Sequence, residues 1–312
     1  MKKTWIMLGC VLAAFFLTWC VRTLYVVRYA PERAFLTASP APVRTSAAAT
    51  PTPTLSPEEQ LMNEADRDFM QDRVNILLLG FDQSPEREDE DSEVYRDEKN
   101  NYRSDVLMLL AVNFKEDSAH LISVPRDTYT PIYNVRGRWK VNAAFAKGGS
   151  AEGEGFLYAQ KTLEMLFGVP IPYYVGVNME GLKALVDAIG GVDYDVDVEI
   201  RLNGRILHTG PQHLNGQQVL DYCRARKGIS TDVGRNDRQQ RMLFAIFEQM
   251  QATGTLAAAP KIYAAVRDDV YTNLSVPQIA ALAAFGLELG LENLKRSTLE
   301  GAYVSNVYNA SF

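Results

Sequence analysis

The sequence predicts an α/β domain, a mixed, largely antiparallel-containing central sheet covered by helices, preceded by one transmembrane helix and a Pro/Ala/Thr linker. Three observations predict it. Short apolar runs bounded by polar residues, the mark of buried strands, alternate with stretches whose apolar residues recur every three to four positions. The first 30 residues hold an apolar run without a charge, and a Pro-rich stretch separates that run from everything that follows. At 312 residues and 47% hydrophobic content, the chain can bury at least one full core.

Residues 1–30 read as a short tail and an anchor. Lys2 and Lys3 precede residues 5–21, which carry no charge, and Leu24 to Val27 extend the run if Arg22 snorkels. A cleaved signal peptide is the competing reading, but no small-x-small site follows the run. The positive-inside rule leaves orientation open, because Lys2 and Lys3 are balanced by Arg22 and Arg28. Residues 31–72 read as an extended linker; through Pro57, prolines alternate with Ala, Thr and Ser, a composition that cannot form a core. Residues 73–312 form the remaining domain.

That domain opens with Val74-Asn-Ile-Leu-Leu-Leu-Gly-Phe81, a buried strand ending at Asp82. A second strand over 106–114 begins after Arg103-Ser-Asp105, and a third over 120–124 ends at Pro125-Arg126-Asp127. If the three run as an antiparallel meander, the end of the first, the start of the second and the end of the third share one edge. Asp82, Arg103, Asp105 and Arg126 then converge. Two carboxylates brought together repel unless a cation sits between them, and oxygen-only ligands favour Mg²⁺ or a similar hard ion. Taken singly, Asp82 and Arg103 are ordinary loop residues and Asp105 a local strand cap.

Residues 84–101 read as an acidic loop, solvated rather than a metal or basic-partner site. Asp193, Asp195 and Asp197 alternate with apolar residues, which fits a half-exposed strand better than a metal cluster, and Asn203-Gly204 reads as its hairpin turn. Helical patterns cover 153–167, 181–189 and 276–289, with a strand over 173–177 between the first two. Their apolar faces could line a lipid tunnel or simply pack a core. Cys223 has no partner for a disulfide in this domain. There is no Walker loop, no Gly-x-Ser-x-Gly elbow and no zinc spacing of His120, His208 and His213. A net charge of −6 and the lack of a basic stripe argue against nucleic acid.

The arginines concentrate in Leu220-Asp-Tyr-Cys-Arg-Ala-Arg226 and Asp232-Val-Gly-Arg-Asn-Asp-Arg-Gln-Gln240. Arg224 and Arg226, two apart, share one face of an extended segment. The helix that follows has an apolar stripe at Met242, Leu243, Ile246, Phe247 and Met250. Run backwards, the stripe passes through Gln239 and Arg235, while Asp237 and Arg241 fall on the wet side. An inward Arg235 needs a counter-charge. Either a bound anion at the helix N-terminus or a distant carboxylate supplies it, and the nearby Arg224 and Arg226 favour the anion.

The ordered set Asn75-Ile-Leu-Leu-Leu-Gly-Phe-Asp82, Arg103-Ser-Asp105, Ser123-Val-Pro-Arg-Asp127, Lys140-Val-Asn-Ala-Ala144, Gly190-Gly-Val-Asp193, His213-Leu-Asn-Gly216, Tyr222-Cys-Arg-Ala-Arg226 and Asp232-Val-Gly-Arg-Asn-Asp-Arg-Gln239 closely resembles the LytR-CpsA-Psr family of membrane-anchored cell-wall enzymes. The resemblance implies a phosphotransferase that moves a glycopolymer of teichoic acid or capsular polysaccharide type from a polyprenyl-pyrophosphate carrier to peptidoglycan. Mg²⁺ (or Mn²⁺) is the implied cofactor, and the family houses the prenyl chain in an apolar pocket. Carried over by motif, Asp82 and Asp105 would hold the metal. Arg126, Arg224, Arg226, Arg235 and Gln239 would grip the diphosphate, with Arg103 and Arg238 in support. Asp105, Arg126, Arg224 and Arg226 are the implied catalytic set; for a general base, Asp105 and Asp127 are both candidates. The family's layout implies a single-pass protein of the cell membrane with its domain on the extracytoplasmic side. The loop joining Asp82 to Asp105 is longer and more acidic than the family's pattern, and an arginine that some members place after Pro-Arg-Asp has two matches, Arg136 and Arg138. A polyprenyl-pyrophosphate hydrolase and a non-catalytic lipid-phosphate-binding regulator of the cell envelope are the alternative readings.

Overall fold

The computed structural model describes residues 55–81, 102–202, 204–225 and 232–301, the last stretch with side chains from Asp237 onward. The expected anchor, Asp82, the acidic loop 84–101, Asn203, Arg226 and the side chain of Arg235 lie outside what is described. Among the described residues no helix is long and apolar enough to cross a membrane.

The chain from Leu55 onward forms one compact unit. It begins inside the stretch expected to be linker, with helix α1 (Pro57–Glu64). Ser56 and Glu59 form a reciprocal capping box and Pro57 occupies the first turn, which starts a helix despite the Pro-rich approach. Leu61 then buries against Ala280, Ala283 and Ala284.

Among the described residues the central sheet has six strands. β1 (Arg73–Phe81), β2 (Ser104–Asn113) and β3 (Ser118–Ser123) run as the expected antiparallel meander. On one side β6 (Tyr173–Val177) pairs parallel to β1, and β11 (Val270–Thr272) pairs antiparallel to β6. On the other, β12 (Leu294–Thr298) pairs parallel to β3. Between the third and sixth strands the chain makes a small hairpin, β4 (Tyr129–Pro131) with β5 (Arg138–Lys140), then α2 (Ala143–Lys147) and α3 (Gly155–Phe167). Past β6 come α4 (Met179–Ala188), β7 (Val192–Val196) and the tight β8 (Ile200–Leu202)–β9 (Arg205–Leu207) hairpin, whose turn holds Gly204 at φ +76°. β10 (Gly210–Leu214) returns beside β7 and leads into α5 (Gly216–Arg224), α6 (Asp232–Ala252), α7 (Ala259–Val266) and α8 (Val276–Glu288).

The strands of the meander sort their side chains by period two. Leu77, Leu79 and Phe81 point into the core beneath α2 and α3, joined by Leu107, Leu109, Phe145, Phe156 and Leu163. Val74 and Ile76 point the other way, against Leu274 and Ala281 near α8. Leu78 and Gly80, on that same second face but nearer the strand's end, are only half-buried. There the sheet is not closed by packing, and there the site lies.

Candidate active site

The meander places three of the four expected residues together. Arg103 precedes β2, Asp105 is its second residue, and Arg126 follows β3; all three line one cavity of about 900 Å³. Arg126 Nη1 donates to Asp105 Oδ1 at 2.9 Å. Asp127 and Lys140 line the same mouth and form an ion pair at 2.9 Å. Backbone bonds hold these loops in register: Val141 N–H donates to Thr128 O at 2.8 Å and Asn142 N–H to Arg126 O at 3.2 Å. Lys140, the last residue of β5, and Asn142 just beyond the strand both line the mouth, with Val141 buried between them.

The opposite wall comes from the arginine-rich segments. Arg224 of α5 and Gln239 of α6 line the cavity, as do Leu220 and Cys223. The segment up to Arg224 is the end of a helix rather than an extended run, because Asn215 and Gln218 form a capping box that starts α5 early. Burial pushes the Cys223 thiol up to about 12, which keeps it protonated and unreactive. Gln239 faces inward, as its place on the apolar stripe requires. Asp237 and Arg241 lie on the wetter face, paired to each other at 3.0 Å and tied to Arg296 and Asp197.

Arg238 departs from expectation. It does not line the cavity but is 2% exposed, donating to the Ala225 carbonyl at 3.1 Å with its guanidinium over the Tyr222 ring at 4.8 Å. Asp197 completes this cluster. Burial opposes its charge, but hydrogen bonds from Arg241 and Tyr222 outweigh that and hold its carboxyl below the usual range. Arg238 thus fastens α6 behind the end of α5. Two lining residues of the mouth carried no individual role in the sequence reading, Lys140 and Asn142; the signal that could have found them is their place in Lys140-Val-Asn-Ala-Ala144, one of the motifs that carry the resemblance.

Away from this charged end the cavity is apolar. Leu78, Val175 and Val177 of the sheet form its floor; Met179, Leu182 and Leu185 of α4, with Met242, Leu243 and Ile246 of α6, form its walls. Part of the stripe read from the sequence therefore faces open space as well as core. Asp193 and Asp195 are exposed on β7, as strand alternation requires, and among the described residues no group of three or more His, Cys, Asp or Glu comes together. Asp105 and Asp127 are the carboxylates at the mouth. One or two carboxylates supplemented by phosphate oxygens and water is a set that Mg²⁺ accepts, so Asp105 fits as one ligand of an ion shared with a phosphorylated ligand.

Over 207 residues the chain is 37% identical to a Bacillus mycoides (strain KBAB4) protein named polyisoprenyl-teichoic acid–peptidoglycan teichoic acid transferase TagU, covering 66% of this chain and 62% of that one. The match thus spans less than two thirds of that relative. A protein of the same name from Halalkalibacterium halodurans is 34% identical over 242 residues, 76% of this chain and 73% of its own. Among solved structures, Bacillus subtilis TagV superposes with a TM-score of 0.63 at 26% identity, over 78% of this chain and 90% of that one. TagT bound to LI-WTA gives a TM-score of 0.59 at 25% identity, over 77% and 83%. The model of the LytR_cpsA_psr family matches residues 43–312, and the chain belongs to that family.

Proposed function

We propose that this protein transfers a glycopolymer from a polyprenyl-pyrophosphate carrier to peptidoglycan, leaving a phosphodiester link. The observation that carries the reading is the two-part cavity: a mouth of Arg103, Arg126, Arg224 and Lys140 opening on an apolar chamber. A long apolar chain with a diphosphate head matches both parts, whereas a soluble anion would leave the chamber without purpose. The TagU relatives, named for transfer of polyisoprenyl-linked teichoic acid to peptidoglycan, support the same chemistry.

In this reading Arg126, Arg224, Arg226, Arg235 and Gln239 grip the diphosphate, Arg103 supports them, and Arg238 acts from behind by fixing α6. Guanidinium suits the task because its planar fork meets two phosphate oxygens and stays charged. An acceptor hydroxyl oxygen attacks the phosphorus that bears the glycan. The new O–P bond forms as the bridging P–O bond breaks, its electron pair leaving with the carrier monophosphate. The hydroxyl proton passes to a carboxylate at the mouth, Asp105 or Asp127. Bound Mg²⁺, held by Asp82 and Asp105, would neutralise charge building on the leaving oxygens. Such a reaction needs charge neutralised and an attacker held in line more than it needs covalent help. The anchor over residues 1–30 would hold the domain at the outer face of the membrane, where carrier and peptidoglycan meet.

The test is incubation of the full chain in detergent with a prenyl-pyrophosphate-linked sugar, Mg²⁺ and a glycan acceptor. Phosphate should appear on the acceptor as carrier monophosphate is released, and Arg224→Ala should lower the rate about 100-fold. Release of the carrier with phosphate left on the free sugar would instead indicate a hydrolase. Retention of the lipid without turnover would indicate a binding regulator.

A further inference from the structure

Asn142 is 5% exposed and lines the cavity mouth, yet it has no part in the diphosphate grip. Its backbone is fully engaged. The N–H donates to Arg126 O at 3.2 Å, and the carbonyl accepts from Ser104 N–H at 3.3 Å and Ser104 Oγ at 3.4 Å. These bonds tie it between the loop that delivers Arg126 and the start of β2, which delivers Asp105. Its side chain is not engaged in the usual way. Asn142 stands directly before α2, where an asparagine ordinarily accepts from the helix's own N–H groups, and no such bond forms. Oδ1 is buried with no hydrogen-bond partner among the described residues. Gln239 Oε1, on the α6 wall of the same cavity, is in the same condition at 8% exposure. Buried amide oxygens are rarely left unpaired, because the desolvation cost is not recovered. Two at one mouth indicate a hydrogen-bonding group that arrives with a ligand.

The chemistry of the mouth selects that group. Arg103, Arg126, Arg224 and Lys140 already crowd it with donors, and a diphosphate brings acceptors. The reactant that brings donors is the acceptor glycan, through its hydroxyls. A carboxamide carries one acceptor and two donors in a plane. Its carbonyl can therefore receive an O–H of the acceptor sugar beside the attacking one, which leaves the attacker's own proton to Asp105 or Asp127 and sets the attacking oxygen against phosphorus.

We propose that Asn142 binds an acceptor-glycan hydroxyl beside the attacking one and so aligns the attacker for displacement at phosphorus. This rests on the transfer reading. Alignment of this kind is worth about 100-fold in rate. With the full chain in detergent, a prenyl-pyrophosphate-linked disaccharide as donor and an uncross-linked glycan oligomer as acceptor, Asn142→Ala should cut kcat/KM for the acceptor about 100-fold. Donor affinity should stay within about twofold. Should the alanine variant melt early, Asn142→Leu decides. It keeps the side-chain size and the backbone bonds but removes the unpaired acceptor, and should show a comparable loss at a melting temperature no lower than wild type. Acceptor turnover within twofold of wild type overturns the proposal. So does donor affinity falling in step with transfer, since Asn142 would then be a diphosphate ligand. A wild-type chain that never puts phosphate on the acceptor overturns the transfer reading and this proposal together.

Discussion

His213 on β10 faces Asp193 on β7, with Nδ1 2.8 Å from the Asp193 carboxylate and Nε2 2.8 Å from the Gly190 carbonyl. Both partners are acceptors, so the arrangement favours the ring with both nitrogens protonated. The hydrogen bond to Asp193, then that to Gly190, raises its pKa above the ordinary 6.5. A raised folded-state value means that the contribution is complete below the unfolded pKa and is lost as pH climbs through the folded one. The melting temperature of His213→Gln should therefore lie about 1–2 °C below wild type at pH 6, a small gap because the pair is exposed, and the gap should close by pH 9. A gap that widens with pH would contradict the clamp. Nothing in the spacing of Gly190-Gly-Val-Asp193 and His213-Leu-Asn-Gly216 announces that the two motifs pair, since the pairing depends on a hairpin excursion between them. Arg238 escaped for a related reason: helical period places Gln239 inward, but the Tyr222 ring and the Ala225 carbonyl draw its neighbour in as well. Arg103, Asp105 and Arg126 were legible because strand polarity alone brings them to one edge.

The meander, β6, α3, α4, α6 and α8 are legible because their apolar periods are long and clean. β4, β5, β11 and β12, with three to five residues each, carry too few positions to show a period. α5 was hidden by its polar composition; its capping box was the available signal. Its seat against α4 depends on Gly216. A Cβ there would fall 2.3 Å from the Lys183 carbonyl oxygen, a backbone atom that cannot turn aside. The Gly216 N–H also donates to Asp187 Oδ1 at 2.8 Å. α4 supplies Met179, Leu182 and Leu185 to the cavity, and α5 supplies Leu220 and Arg224. Gly216→Ala must push the two helices apart, so denaturant unfolding should show a loss of about 1–3 kcal/mol. The same displacement should weaken binding of a polyprenyl pyrophosphate, because Arg224 moves with α5. Unchanged stability would mean that the helices slide without cost and that the close contact is not what sets their spacing.

The molecule as a whole carries a solid core on one face of its sheet and an open chamber on part of the other. This asymmetry is invisible in the sequence, because Met242, Leu243 and Ile246 form the same stripe whether they meet a neighbour or a void. Magnitude separates the cases. A sealed apolar void costs about 24 cal/mol per Å³, so 900 Å³ would cost on the order of 20 kcal/mol, beyond the 5–15 kcal/mol by which domains are usually stable. The chamber is therefore open volume that a guest or water occupies, not a packing defect. Leu182 and Val177 are half-buried and line it, so enlarging them consumes free space. In a filled core the added atoms would cost about 1–3 kcal/mol. Here Leu182→Trp and Val177→Phe should leave the melting temperature unchanged or raise it slightly, since each buries more apolar surface without displacing a neighbour. Mass spectrometry of the full chain purified from membranes should find prenyl lipid on the wild type and little on either variant, while inorganic pyrophosphate binding at the arginine mouth persists. Loss of stability on both substitutions would mean that the chamber is already packed, and the two-part reading of the cavity would go with it.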